Sequence, residues 1–349
     1  MNDRIAWRSE LFGSPVRSVF TVVLLALFAW VGVYVFDWAV LHAVFRPDAE
    51  ACRAAGHHGA CWGVIAEKWR PILFGRYPYE DQWRPAVAVA VLTTTTLLSA
   101  WPRSWRVWLL PLWVVTLVVF VVLMRGGWLG LVYVPTSRWG GLPLTISLAV
   151  VSLALAFPLA LLLALGRRSQ WPVVRTLSAT YIELVRGVPL ISVLFMASFL
   201  LPLLWPAGWQ LDVLVRVLAG LALFVAAYLA EIIRGGLQAV PRGQTDVAMA
   251  LGFGRWPVQR DIILPQALRL VVPALTNSVV GTLKDTSLVT IVGLFELTGA
   301  LGLALGGDTT WRPFYLEGYL FLAAVYWVLC FSLSRYSAWL ERRLSTGRD

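Results

Sequence analysis

Lysine and histidine are almost missing from this chain of 349 residues, which has two lysines, Lys68 and Lys284, and three histidines, His42, His57 and His58. Neither lysine follows a glycine, so there is no G-x-x-x-x-G-K-[ST] loop whose backbone N–H groups would cradle phosphates, and nucleotide binding by that motif is excluded. No H-E-x-x-H metal pair and no G-x-S-x-G nucleophile elbow occurs either. Cysteine is scarce, at three residues, and charge is low at 14%. What fills the chain is apolar: hydrophobic residues make up 59%. Runs of about 20 apolar residues, long enough to cross a bilayer, recur throughout.

The fold class that follows is an all-α multi-pass membrane protein. Eight spans can be read, at 18–36, 86–101, 107–124, 141–165, 188–205, 213–233, 268–295 and 318–334. The second is short, and the seventh is interrupted by Lys284 and Asp285. Tryptophans cluster near span ends, as at Trp101, Trp105, Trp128, Trp139, Trp171, Trp205, Trp209 and Trp311. There their amphipathic rings anchor at the membrane interface. Arginines set the orientation, because positive charge near span ends is retained in the cytoplasm. Arg4, Arg8 and Arg17 at one end and Arg342 and Arg343 at the other share the inner side if the number of spans is even. Both termini are then cytoplasmic. The net charge of +10 reads as topology and contact with anionic lipid; nothing resembles a nucleic-acid module. The first span follows a basic start, but it exceeds a signal core and no small-x-small cleavage site follows, so it reads as a retained anchor.

The chain divides near Arg125. Residues 1–125 hold three spans and an external loop, 42–85, rich in Trp, Pro and charge; residues 126–349 hold five spans. In the loop, Cys52 and Cys61 bracket CRAAGHHGAC. An oxidising periplasm allows a local disulfide there, free thiols are a second reading, and zinc bound with His57 and His58 is a third. No internal repeat stands out, which argues against a secondary transporter built from inverted halves.

Between Thr245 and Pro265 stands a polar, arginine-bearing insert, TDVAMALGFGRWPVQRDIILP. It reads as two short helices around a glycine turn: Gly252 takes the left-handed conformation, Pro257 suits the first turn of the second helix, and Pro265 stops it. The spacing of Asp246, Val247, Ala248, Gly252, Ile262, Leu264 and Pro265 resembles the signature loop of bacterial ABC importer permeases, although Asp-Val-Ala stands where the family has Glu-Ala-Ala. Upstream lie YIELVRGVPL (181–190) and AEIIRGGLQAVPRGQ (230–244); downstream lie LPQALRLVVPALTN (264–277) and LKDTSLVTIVGLFEL (283–297). Together they resemble the permease family for polar amino acids, over about residues 133–340, and the extra N-terminal part is similar to the longer permeases of general L-amino acid uptake.

That resemblance implies a five-helix permease core with an N-terminal three-helix extension, in the bacterial inner membrane. It implies a coupling loop (235–265), centred on Thr245, Asp246, Ala248, Ala250, Leu251, Gly252, Phe253, Gly254 and Arg255, that docks on a separate ATPase. The implied partners are two ATPase subunits, a second permease, with a heterodimer favoured by the long extension, and a periplasmic amino-acid-binding protein. No cofactor is expected on this chain, ATP and Mg belonging to the ATPase. The alternative is an ion-driven secondary transporter or channel. An intramembrane enzyme using Glu183, Glu231, Asp285 or Glu296 has no supporting constellation.

Charges inside spans are costly, about 2.5–3.5 kcal/mol each at a helix centre, so they mark function or pairing. Lys284 and Asp285, with Thr286 and Ser287, form the deepest polar patch and offer one complement each to an amino acid's carboxylate and ammonium. The alternative is that they pair with neighbouring charges and fix a helix break. Glu231 and Arg234 stand one turn apart, close enough to bond, and Glu183 and Arg186 share that spacing; both pairs read as support beside the ATPase interface. Because the phosphate loop is lacking, the purified chain alone is expected to hydrolyse no ATP. Turnover by a contaminant-free single-subunit preparation would refute this.

Overall fold

The computed structural model describes residues 11–99, 101, 104, 107–204 and 211–345. Among these residues the chain is helical, with extended pairing limited to two isolated bridges. Arg4, Arg8, Trp105, Trp205 and Trp209, named above as topology and interface markers, lie outside the described residues. Two compact units are present: 1–69 with 307–321, and 70–306 with 322–349.

In the first unit, α1 (Pro15–Phe36) starts at Ser14, whose hydroxyl accepts the Arg17 N–H, and runs on as a π-helical turn, Asp37–Leu41. None of its residues is buried. Asp48 caps α2 (Ala49–Ala55) by accepting the N–H groups of Glu50 and Ala51, as a short acidic side chain does at a helix start. Cys52 and Cys61 are joined as a disulfide, with Cα atoms 5.3 Å apart. Their sulfurs are therefore not thiolate metal ligands, and the zinc reading with His57 and His58 loses its cysteines. The turn between them is held by Val44 N–H donating to Ala60 (2.8 Å) and Gly63 N–H donating to Val44 (2.9 Å). Within the same unit the buried Cys61 N–H donates to the Glu317 carboxylate at 2.8 Å, and Lys68 pairs with Asp308 at 2.7 Å.

The second unit takes in the end of α3 (Gly63–Phe74), from Arg70 on, and then the hairpin of α4 (Trp83–Ser99) and α5 (Leu109–Arg125). Thr95 and Thr116 share a buried hydroxyl contact at 2.7 Å across that hairpin. The end of α5 leaves carbonyls without helical partners. Fully buried Arg84 donates to Leu123 O (2.8 Å) and to Val132 O (2.9 Å), and the Tyr77 hydroxyl donates to Leu123 O and Met124 O. Gly126 makes the approach possible. It sits at φ +65°, and a Cβ there would run into Val132 O and the Arg84 guanidinium.

The centre of this unit is the seam between α6 (Gly141–Arg167) and α9 (Val213–Ala239). Ser152, Ala156, Ala160 and Ala164 are buried at every fourth position of α6. The facing helix buries Gly220, Ala222, Ala226, Ala227 and Ala230. Small residues at this spacing let backbones approach closely, the usual way helices associate where lipid removes the hydrophobic driving force. α7 (Pro172–Gly187) is bent 104° from the segment that follows it, which opens with α8 (Leu190–Phe195) and ends at Leu203. Then come α10 (Arg242–Ala250), a lead-in turn at 255–263, α11 (Leu264–Asp285), a 3₁₀ segment (Thr286–Val292), α12 (Leu297–Gly306) and α13 (Tyr315–Ser345).

Among the described residues, five helices are long and apolar enough to cross a membrane, six if the bent pair counts as one span. The sequence count was eight. The difference lies mainly in α4 and α5, which have 17 residues each. One correction concerns Pro265: it does not stop a helix but sits in the first turn of α11. The preceding stretch, Val258–Ile263, is π-helical. That wider turn takes up the missing N–H and the clash a proline ring makes with the carbonyl four residues back.

The Lys68 ammonium, then the Thr310 N–H, hold the Asp308 carboxyl below the usual carboxylate range. A group whose folded value is lowered contributes stability above its unfolded value and loses it as pH falls through the folded one. Acidification below pH 4 should therefore loosen the first unit. In detergent, Asp308→Asn should show a smaller fall in melting temperature between pH 7 and pH 3 than the wild type; an identical fall would show that this pair carries none of it.

Candidate functional site

The glycine turn of the polar insert is a complete Schellman motif. Gly252 N–H donates to Met249 O and Phe253 N–H to Ala248 O. This satisfies the last carbonyls of α10 and requires a left-handed residue; Gly252 stands at φ +87°. No neighbouring atom lies within 4 Å of a Cβ built there, so backbone conformation, not space, demands the glycine. Ala248 is buried, as are Val258 and Ile263 beyond the turn. Asp246, Ala250, Gly254 and Arg255 are exposed and Thr245 is half-buried. The same stretch turns Val247, Leu251, Phe253 and Trp256 outward, at 62%, 73%, 52% and 62% exposure. A polar-flanked apolar patch of this kind marks an interaction surface.

Where α6, α7 and α9 meet, four charged side chains form one network. Arg167 reaches Glu183 at 2.8 Å and Glu231 at 3.2 Å. Arg234 clasps Glu231 through both nitrogens of its fork, Nε at 2.9 Å. The one-turn pairing read for Glu231 and Arg234 is present; Glu183 instead turns to Arg167, and Arg186 stacks over the Tyr228 ring at 5.6 Å. Arg167 is the member that sequence spacing missed, because its partners lie 16 and 64 positions away. Arg168 donates to Leu237 O at 2.8 Å, fastening the end of α6 to α9.

A cavity of about 330 Å³ opens between α8, α9 and α11, within the about 300–1,000 Å³ usual for small-molecule sites. Phe224, Val225 and Tyr228 line it from α9, Leu190 from α8, and Ser278, Gly281, Thr282 and Asp285 from α11. Its walls are therefore mostly apolar, with one carboxylate at the break where α11 gives way to the 3₁₀ segment. Lys284 does not join it. Successive helical residues point about 100° apart, and Lys284 is exposed while Asp285 is half-buried; among the described ion pairs the two are not partners. Thr286 is buried and donates to Leu283 O at 2.7 Å, closing the helix end, and Ser287 is half-buried. The structure thus brings Asp285 to the cavity and leaves the other three members of the patch beside it.

Glu296 carries more than the sequence showed. Fully buried, its carboxylate accepts from Thr298 N–H (2.8 Å), Gly299 N–H (3.0 Å), Thr290 Oγ1 (3.2 Å), Thr145 Oγ1 (3.3 Å) and Tyr326 Oη (2.9 Å). It caps α12 and ties that helix to α6, α13 and the 3₁₀ segment. Through these contacts Glu296 acts as a clamp. The EL dipeptide gave only a weak hint of this, as an acid just before a short apolar helix.

Residues 156–346 match the family described as the inner membrane component of binding-protein-dependent transport systems. The chain belongs to that family. It is a transport component, and its helical fold agrees. It is similar to the inner membrane amino-acid ABC transporter permease protein YhdY of Escherichia coli (strain K12), with 44% identity over 98% of this chain and 93% of that one. The glutamate/glutamine/aspartate/asparagine transport system permease protein BztC of Rhodobacter capsulatus is 36% identical over 97% of this chain and 93% of its own length. A solved amino acid ABC transporter crystallised with histidines superposes with a TM-score of 0.51 at 31% identity, covering 58% of this chain and 94% of that chain.

Gly252→Val places a β-branched residue at positive φ, a position costing roughly 1–2 kcal/mol even for less bulky side chains. The variant should reach the membrane at normal level while transport and ATPase stimulation are lost. Uptake at the wild-type rate would remove the turn from coupling.

Proposed function

We propose that this permease forms half of the pathway through which an ATP-driven importer takes up amino acids, paired with a second, different permease subunit. Two ATPase subunits, which hold ATP and Mg, dock on α10, and a periplasmic binding protein delivers the substrate. Both termini lie in the cytoplasm, and residues 1–125 are an extension outside the transport core. The reading is carried by the Schellman turn, which presents an apolar patch to a partner. The substrate class is supported by full-length similarity to two amino-acid permeases. Coupling requires contacts that differ between inward-open and outward-open states; the Arg167 network, joining three helices next to α10, is suited to exchange partners between them.

Asp285 is the residue that meets the substrate ammonium, since it is the one carboxylate on the cavity wall. Lys284, Thr286 and Ser287 belong to the same route, with Lys284 on the outer face of the turn toward the second permease. The test is reconstitution: the tagged chain, with whatever co-purifies in mild detergent, is placed in proteoliposomes with ATP inside or outside and labelled amino acids opposite. ATP-dependent accumulation, with an ATPase, a second permease and a binding protein among the components, is expected. Accumulation driven by an ion gradient without ATP would overturn the reading.

A charge-assisted hydrogen bond is worth about 1.5–3 kcal/mol. Asp285→Asn should therefore lower uptake roughly tenfold or more without loss of assembly, and Lys284→Ala should lower it less. The double change Lys284→Ala/Asp285→Ala should assemble and still fail to transport; normal uptake by that variant would place the substrate site elsewhere.

A further inference from the structure

The helix α7 has three faces. Taking about 100° per residue, Ser178 and Ile182 fall on one side and are buried. Arg175, Glu183 and Arg186 occupy a second. Val173, Leu177 and Leu184 fall together on a third, at 69%, 66% and 65% exposure. Trp171, at the helix start, is 74% exposed. A helix made only to pack would not keep an exposed apolar stripe opposite its charges, and one crossing the bilayer would not carry the charges.

Direction and level agree with this division. The segment 190–203 turns 104° away from α7, so if that segment crosses the bilayer, α7 lies close to the membrane plane. The Arg167–Glu183 and Arg167–Glu231 bonds hold α7 at the level where α6 and α9 end and α10 begins. Charge complements that position. Arg167, Arg168, Arg175, Arg186 and Arg234 stand there against Glu183 and Glu231, and Arg175 has no ion-pair partner among the described residues. An amphipathic helix of this make lies with its apolar face about 5–10 Å into the boundary of headgroups and acyl chains.

We propose that α7 is an interfacial helix seated on the anionic lipid of the leaflet that faces α10, with Val173, Leu177 and Leu184 in the acyl boundary and Arg175 among the headgroups. Through the Arg167–Glu183 bond the lipid surface then bears on the network beside the coupling loop. The surface is distinct from the cavity and from α10, and the inference rests on the membrane reading of the chain but not on its substrate.

The test uses the full co-purified complex in lipid nanodiscs, on a Cys330→Ser background, with a nitroxide at Leu177→Cys, Leu184→Cys or Ala179→Cys. Power saturation with oxygen and with a water-soluble nickel chelate reads depth. Labels at 177 and 184 are expected to be relaxed by oxygen at the headgroup boundary, and the label at 179 by nickel. Protection of 177 and 184 from both agents, which would mean that a second permease subunit covers them, overturns the proposal, as does nickel access equal to that at 179. The lipid arm compares phosphatidylglycerol with phosphatidylcholine. One arginine near an anionic surface shifts binding about fivefold, so Arg175→Gln should move the phosphatidylglycerol fraction giving half-maximal ATPase stimulation upward about fivefold. An unchanged midpoint would overturn the assignment to anionic lipid.

Discussion

A fully buried carboxylate in a membrane protein has to be paid for with hydrogen bonds, and Glu296 receives five. Without them, burying so polar a group would be costly. With them, one side chain fixes how α6, α12, α13 and the 3₁₀ segment Thr286–Val292 meet. The segment begins where α11 stops at Asp285, so the clamp also sets where the cavity's only described carboxylate sits. The cavity's position on the break thus follows from a residue that does not touch it.

The helix break itself must be sheltered. A helix ended inside a bilayer exposes backbone groups that are tolerated only against protein or a water-filled space. Here Thr286 closes the end through Leu283 O, and Gly293, at φ +85°, turns the chain toward Glu296. On the other side of the seam, the small residues of α6 and α9 bring Phe224, Val225 and Tyr228 within reach of α11. Tyr228 faces the cavity and is also stacked by Arg186. It therefore lies between the cavity and Arg186 of α7.

Much of this was legible in the sequence because it is local. Gly252 declares its positive φ through its place after a helical repeat, and Lys284–Asp285 announce a break by interrupting an apolar run. Glu231–Arg234 follow from one-turn spacing. What escaped is what folding brings together from afar. Arg167 is joined to Glu231 across 64 positions, and Thr145 to Glu296 across 151. Pro265 was misread because local rules treat proline as a stop, whereas a π turn of six residues absorbs it. Adjacency in sequence did not put Lys284 and Asp285 on one surface, since neighbours on a helix face different ways: Asp285 lines the cavity and Lys284 is exposed beside it.

The central claim is that α10 is the surface by which an ATPase moves this permease, and proximity measures it most directly. A photo-crosslinking residue placed at Leu251, 73% exposed on the turn, in the intact complex should form an adduct with the ATPase subunit whose yield changes on ATP addition. An intact, transport-active complex in which position 251 crosslinks only to lipid, or to no subunit with or without ATP, would contradict the account.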